Sequence, residues 1–171
     1  MGGLSGSGAA RPSRAPRSMS KPIFVLNGPN LNMLGVREPA VYGHATLEDV
    51  RRRVEARAKA LGLGIDFRQT NEEGELVGWI QEARDKAAGI IINAGALTHT
   101  SIAVLDALNA AAVPAIEVHL SNIFRREGFR RHSYVALAAA GSISGFGPAS
   151  YELAVEAMAG LVGGQSGTRS S

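Results

Sequence analysis

From residue 21 to residue 162, short apolar runs alternate with stretches whose apolar positions recur at helical spacing. The runs Ile23–Leu26, Gly64–Gln69, Gly89–Asn93, Ala115–His119 and Gly141–Gly145 read as strands. The first, third and fourth are apolar at consecutive positions, which marks strands covered on both faces. Between them lie four helical patterns. Thr46 is placed to cap the first, with Asp49 three residues on as a capping-box variant, and Leu47, Val50, Val54 and Leu61 then share a face. Leu76, Ile80, Ala83 and Ala87 form the second apolar face, and Ile102, Leu105, Leu108 and Ala112 the third. Ser150 opens the fourth helix, where Ala154, Ala157, Met158 and Leu161 recur. Strict alternation of strand and helix implies parallel strands joined by right-handed crossovers. Five strands in ~140 residues predict an α/β fold: a flavodoxin-like, doubly wound, five-stranded parallel sheet in a single domain.

The two ends do not share this pattern. Residues 1–20 are dominated by Gly, Ser, Pro and Arg, with almost no large apolar side chain. Such a segment cannot bury enough surface to offset its ordering entropy. It is expected to be a disordered leader or a remnant of added sequence, with Met19 available as a natural start. An Arg-rich, acid-free leader is also the composition of an organelle transit peptide, whereas the apolar centre of a secretory signal is missing. The tail 163–171 is likewise expected to be disordered. The catalytic or binding domain is then 21–162.

Charge changes the picture only at the leader. The chain carries a net +3, but residues 1–21 hold Arg11, Arg14, Arg17 and Lys21 and no acid, while the rest holds 14 basic and 15 acidic side chains. A nucleic-acid binder needs a basic face on its folded module, so that class is set aside. No apolar run approaches the ~20 residues of a membrane span. The absence of cysteine excludes disulfides, thiolate metal sites and a cysteine nucleophile, and fits a reducing cytoplasm.

In a doubly wound sheet, ligands bind beyond the carboxyl ends of the strands where strand order reverses. Those ends are Asn27–Asn30, Asn93–Thr100 and His119–Asn122, each dense in polar residues. Asn27, Asn30 and Asn32 are three amides close together that can donate toward a developing oxyanion, although Asn, Gly and Pro also simply make turns. The connection from Asn27 to Ala45 exceeds the usual ~2–6 residues of a βα loop and reads as a lid. It holds Arg37 five residues before Tyr42. A phenol is a poor base near its ordinary pKa of ~10, and a neighbouring guanidinium favours the phenolate. The alternative is a surface tyrosine and a solvated arginine. After the third strand, Asn93 and His99 can hold ligand hydroxyls. Glu117 and His119 are two apart on a strand and so share a face. A carboxylate beside an imidazole fixes its tautomer and favours its protonated form, as acid catalysis requires. Of Arg125, Arg126, Arg130 and Arg131, one or two are expected at a substrate and the rest at the surface or a subunit contact.

The segments NGPNLNMLG, REPAVYG, NAGALTHTS, EVHLSN and FRRHSY occur in this order. Together they resemble type II dehydroquinase, the 3-dehydroquinate dehydratase of the shikimate and quinate pathways, over Ile23–Leu161. Ala96 stands where a second Gly is common and Phe124 where a His often sits, neither at a catalytic position.

The resemblance implies a lyase acting on a cyclic β-hydroxy ketone that carries a carboxylate. Tyr42 is then the base, its pKa lowered by Arg37, and Asn30 helps to stabilise the enolate. His119, oriented by Glu117, is the acid for the leaving hydroxyl. Leu120 and Ser121, with Asn93, hold the carboxylate and neighbouring oxygens, and His99 and Arg130 bind ring hydroxyls. Asp106 resembles a residue presented to the site of an adjacent subunit in a dodecamer built as a tetramer of trimers. Neither a metal nor another cofactor is implied. The unrelated type I enzymes use a lysine imine, but Lys21, Lys59 and Lys86 lie before the first strand or on helices, away from the ligand edge. The rival reading is a non-catalytic flavodoxin-like small-molecule binding module, which leaves Arg37, Tyr42, Glu117 and His119 without a purpose.

Overall fold

The computed structural model describes residues 20–36 and 38–164. Its five strands are β1 (Ile23–Asn27), β2 (Ile65–Gln69), β3 (Gly89–Asn93), β4 (Ala115–His119) and β5 (Gly141–Ser144). All pair in parallel, in the order β2-β1-β3-β4-β5. The helices are α1 (Pro39–Tyr42), α2 (Leu47–Ala60), α3 (Glu73–Lys86), α4 (Ile102–Ala111) and α5 (Ala149–Gly164). This is the flavodoxin-like arrangement that the alternating pattern predicts.

The consecutive apolar runs become the inner strands because each strand residue faces the opposite side from its neighbour. Ile23, Val25, Ile91, Ile116 and Val118 pack against Val50, Val54 and Ala58 of α2 and Tyr151, Ala154, Val155 and Met158 of α5. Phe24, Leu26, Ile90 and Ile92 pack on the other side against α3 and α4. Every residue of β1, β3 and β4 is buried, while the edge strands β2 and β5 are half-covered or exposed. Complete burial of an Ile, Leu or Phe side chain contributes ~1.5–3 kcal/mol, so two apolar layers on three central strands dominate the favourable side of folding.

Local signals hold where they involve the chain's own neighbours. Thr46 caps α2 reciprocally: its hydroxyl accepts from the Asp49 N–H at 3.1 Å, and the Asp49 carboxylate accepts from the Thr46 N–H at 2.9 Å. The apolar face of α3 is also as expected, with Leu76, Ile80 and Ala83 fully buried.

Two helix faces differ. On α4 the buried stripe is Val104, Ala107, Leu108 and Ala111, while Ile102 is 55% exposed and Ala112 caps the C-terminus in left-handed backbone, φ 54. The segment IAVLDALNAA is apolar at so many positions that two helical stripes fit it, and packing on the sheet selects one. On α5 the buried residues are Tyr151, Ala154, Val155 and Met158, whereas Ala157 and Leu161 are exposed. Helix α5 begins at Ala149 and continues to Gly164, two residues into the tail expected at 163–171; residues 165–171 and 1–19 lie outside the described part.

Candidate active site

Strand order reverses between β1 and β3, since the chain leaves β1 for β2 on one side and returns to β3 on the other. The loops leaving β1 and β3 are pressed together there. Gly28 N–H donates to the Asn93 carbonyl at 2.8 Å, and a Cβ on Gly28 would lie 2.4 Å from the Ala94 carbonyl oxygen. Gly95 adopts φ 58, and a Cβ there would meet the Pro29 carbonyl oxygen at 2.8 Å. Both positions therefore require glycine, one for close approach and the other for approach and left-handed backbone together.

A cleft of about 250 Å³ opens at this point. Its wall includes Asn30, Asn93, His99, His119, Leu120, Ser121 and Arg130, so seven of the residues singled out in the sequence converge on one cavity. Leu31, Leu34 and Ile123 supply its apolar surface.

His119 ends β4 and Glu117 precedes it by two, so both side chains fall on one face of the strand. Both are buried, and Glu117 Oε1 lies 2.6 Å from His119 Nε2. Burial by itself would raise the Glu117 carboxyl. The hydrogen bond and charge of His119, with the hydroxyls of Ser133 and Ser142, outweigh it and hold the group below the ordinary carboxylate range. Glu117 is therefore an anion at neutral pH, and Nε2–H of His119 donates to it. The other ring nitrogen, Nδ1, is the one free to serve the cleft.

His99 sits in a different field. Its Nδ1–H donates to the His132 carbonyl at 2.6 Å. Burial, then the charges of His119 and Arg130, lower its pKa despite the carbonyl of His132 and the charge of Glu117. A neutral ring with Nδ1 protonated leaves Nε2 as an acceptor for a ligand hydroxyl.

The amide cluster after β1 divides its labour. Asn27 is completely buried; its Nδ2 donates to the Arg68 carbonyl at 2.9 Å and its Oδ1 accepts from the Tyr151 hydroxyl at 2.7 Å. Asn27 thus serves the framework. Asn32 is exposed and outside the cleft wall. Only Asn30 faces the cavity, in left-handed backbone at φ 68, a conformation Asn tolerates better than most residues. Asn93 is partly committed as well: Nδ2 donates to Tyr151 at 2.9 Å and Oδ1 accepts the Gly95 N–H at 3.2 Å, leaving its second amide N–H to offer a ligand.

The long connection after β1 is more ordered than a loop. It contains a 3-10 turn at Leu31–Met33 and the one-turn helix α1, with Tyr42 as its last residue. Arg37 lies outside the described residues. Arg126 joins Arg130 in the cleft wall, 3.7 Å from Glu38 at the start of α1. The sequence run of arginines indicated that some would reach a ligand but not which, because side-chain direction within short 3-10 turns has no sequence period. Arg125 and Arg131 are exposed. Asp106 stands on the exposed side of α4 and does not line this chain's cleft.

Two residues to which the sequence assigned no role take part in the site. Tyr151, inside α5, reads as one more apolar position, yet its hydroxyl joins Asn27 to Asn93. Ser133 reads as a loop serine, yet it bonds the Glu117 carboxylate at 2.7 Å.

Comparison with known proteins identifies the family. The profile of the family described as "Dehydroquinase class II" matches residues 21–159. The 3-dehydroquinate dehydratase of Phenylobacterium zucineum is 66% identical over 143 residues, spanning 84% of this chain and 99% of that protein. Its counterpart from a Caulobacter species is 61% identical over 145 residues, 85% of this chain and 99% of that one. Among solved structures, the type II dehydroquinase from Propionibacterium acnes superposes with a TM-score of 0.79 at 46% identity, covering 83% of this chain and 98% of the other. Membership of an enzyme family also disposes of the binding-module alternative. The chain belongs to the class II dehydroquinase family and is an enzyme of that family.

Proposed function

We propose that the enzyme dehydrates 3-dehydroquinate to 3-dehydroshikimate by anti elimination through an enolate. The observation that carries this reading is the buried Glu117–His119 pair, 2.6 Å apart, at the wall of a cleft rich in amide, imidazole and guanidinium groups, in a chain whose relatives bear that activity in their names.

In this reading the Tyr42 phenolate takes the proton from the carbon next to the ketone, and the electron pair moves onto the carbonyl oxygen. Arg37 favours the phenolate, and Asn30 helps to stabilise the enolate. When the enolate collapses, the carbon–carbon double bond forms and the carbon–oxygen bond to the hydroxyl breaks. His119 supplies the proton with which that hydroxyl leaves as water. Arg130 and the Nε2 of His99 hold ring hydroxyls, while Leu120, Ser121 and Asn93 hold the carboxylate side. Tyr151 is unsuited to be the base: burial pushes its pKa upward and its hydroxyl is already spent on two amides. Among the described residues, no lysine lines the cleft, which favours an enolate over an imine. Borohydride with substrate should accordingly leave the enzyme active.

The product is a conjugated enone, so turnover is read directly as a rise in near-ultraviolet absorbance. Purified enzyme giving no such rise with 3-dehydroquinate would remove the assignment.

We further infer that copies of the chain assemble into a dodecamer, a tetramer of trimers, in the cytoplasm, with Asp106 completing a neighbour's site. Supporting this, Phe124, Phe129 and Phe146 are each about two-thirds exposed, and Ile102 flanks Asp106 on the outer side of α4. Aromatic side chains are enriched at protein–protein interfaces relative to the rest of the surface. Among the described residues, no helix is long and apolar enough to cross a membrane. Light scattering should give a mass many times 17.8 kDa; a fully active monomer would end the shared-site idea.

A further inference from the structure

Glu117 Oε1 accepts two hydrogen bonds, from His119 Nε2 at 2.6 Å and from Ser133 Oγ at 2.7 Å. Ser133 is 16 residues further along the chain, between the 3-10 turns Gly128–Arg130 and Val135–Leu137. Its hydroxyl is directed: Oγ accepts the Ala136 N–H at 3.0 Å while its single proton points at the carboxylate. The residues on either side are fixed to the turn after β3. The His132 carbonyl accepts from His99 Nδ1 at 2.6 Å, and the Tyr134 N–H donates to the Thr98 carbonyl at 2.9 Å. One tripeptide, His132-Ser133-Tyr134, therefore reaches both imidazoles of the cleft, His99 through a carbonyl and His119 through Glu117.

We propose that Ser133 is a positioning residue for the dehydration, holding the Glu117 carboxylate as an acceptor toward Nε2 of His119 and so fixing Nδ1 as the nitrogen that serves the substrate. This rests on His119 being the acid. Without the serine proton, Glu117 keeps one neutral-to-anion hydrogen bond fewer and its carboxyl is free to rotate or to take up a proton itself. Either change weakens the grip on Nε2–H. Ser133 is not in the cleft wall, so binding should be spared while the proton-transfer step is not.

The experiment is steady-state kinetics across pH for Ser133→Ala, Ser133→Cys, Ser133→Thr and His119→Ala. A hydrogen bond to a charged group lost from the proton-transfer step should lower kcat of Ser133→Ala about tenfold with KM within about twofold. Ser133→Thr keeps the donor and should recover most of kcat; Ser133→Cys, a weak donor, should fall between. The pH dependence of kcat should differ from wild type in Ser133→Ala and return toward it in Ser133→Thr. His99 from the turn after β3 and Arg126 and Arg130 from the segment after β4, which line the same cleft as His119, are unchanged in these variants, so the difference reports on Ser133. If Ser133→Ala does not fold, the ranking Thr above Cys carries the test. Wild-type kcat and pH profile in Ser133→Ala or Ser133→Cys, alongside an inactive His119→Ala, would overturn the role of Ser133 alone. A His119→Ala enzyme with normal turnover would instead overturn the assignment of the acid. A rise in KM with kcat unchanged would also sink the proposal, because it would place Ser133 in binding.

Discussion

The hydroxyl of Tyr151 lies 2.9 Å from Nδ2 of Asn93, a residue 58 positions earlier in the chain. It donates in turn to Asn27 Oδ1 at 2.7 Å. Asn27 and Asn93 are register partners at the carboxyl ends of β1 and β3, so a phenol from α5 ties together the two strand ends beneath the cleft. Removing the hydroxyl in Tyr151→Phe leaves buried amide groups without partners, which costs about 1–3 kcal/mol. Urea unfolding should show a lower midpoint at unchanged slope. Asn93 loses one of its anchors, so KM should rise. With Tyr42 proposed as the base, kcat should fall far less than in Tyr42→Phe.

Tyr42→Phe is expected to remove nearly all turnover and to leave substrate affinity within a few-fold, because only the phenolic oxygen is lost. Equilibrium binding of substrate to the variant, beside its absorbance-detected rate, separates the two. Retention of a substantial share of wild-type kcat would take Tyr42 out of the role of base.

Gly28→Ala tests the close approach of the two loops. An added Cβ would stand 2.4 Å from the Ala94 carbonyl oxygen, against backbone that cannot swing aside like a side chain. Relief requires a shift of about 1 Å between the loops that carry Asn30 and Asn93, and misplacement on that scale can cost on the order of 10²-fold in rate. The expected result is a folded protein, by circular dichroism, with kcat/KM reduced by about that factor. Unaltered kinetics would show that the cleft does not depend on the contact.

At the far edge of the sheet, Arg68 forks between Asp66 and Glu82, 2.8 Å from each, while its guanidinium covers Phe24 at 4.4 Å. The Arg68 hydrogen bonds hold Glu82 at a pKa of about 2, against an ordinary 4.5. A depressed carboxylate contributes stability that is fully present above its unfolded pKa and is lost as pH falls through the folded one. Wild-type stability should therefore decline between pH 4.5 and about 2 more steeply than that of Glu82→Gln, which has no proton to gain there. Thermal unfolding of the two proteins across that range is the check, and parallel slopes would argue against the coupling.

The amino-acid sequence by itself determined whatever depends on near neighbours or on period. Alternation of apolar runs with helical stripes specified the elements and a parallel doubly wound sheet. Thr46 and Asp49 specified a reciprocal cap at a spacing of three residues. Glu117 and His119 were placed on one face because a strand has a period of two, and the ordered motifs brought Asn30, Asn93, His99 and Arg130 to one edge of the sheet. Only the tertiary structure decided which of several apolar stripes α4 buries, since a helix that is apolar nearly all round has no preferred face until something packs on it. It also decided that Asn27 serves the framework while Asn30 faces the cavity, and that Arg126 rather than Arg125 enters the wall. The hydrogen bonds of Tyr151 and Ser133 belong to the same class. Their partners lie 124, 58 and 16 residues away, and no local pattern encodes a polar pairing whose two halves are brought together only when the sheet and its covering helices close.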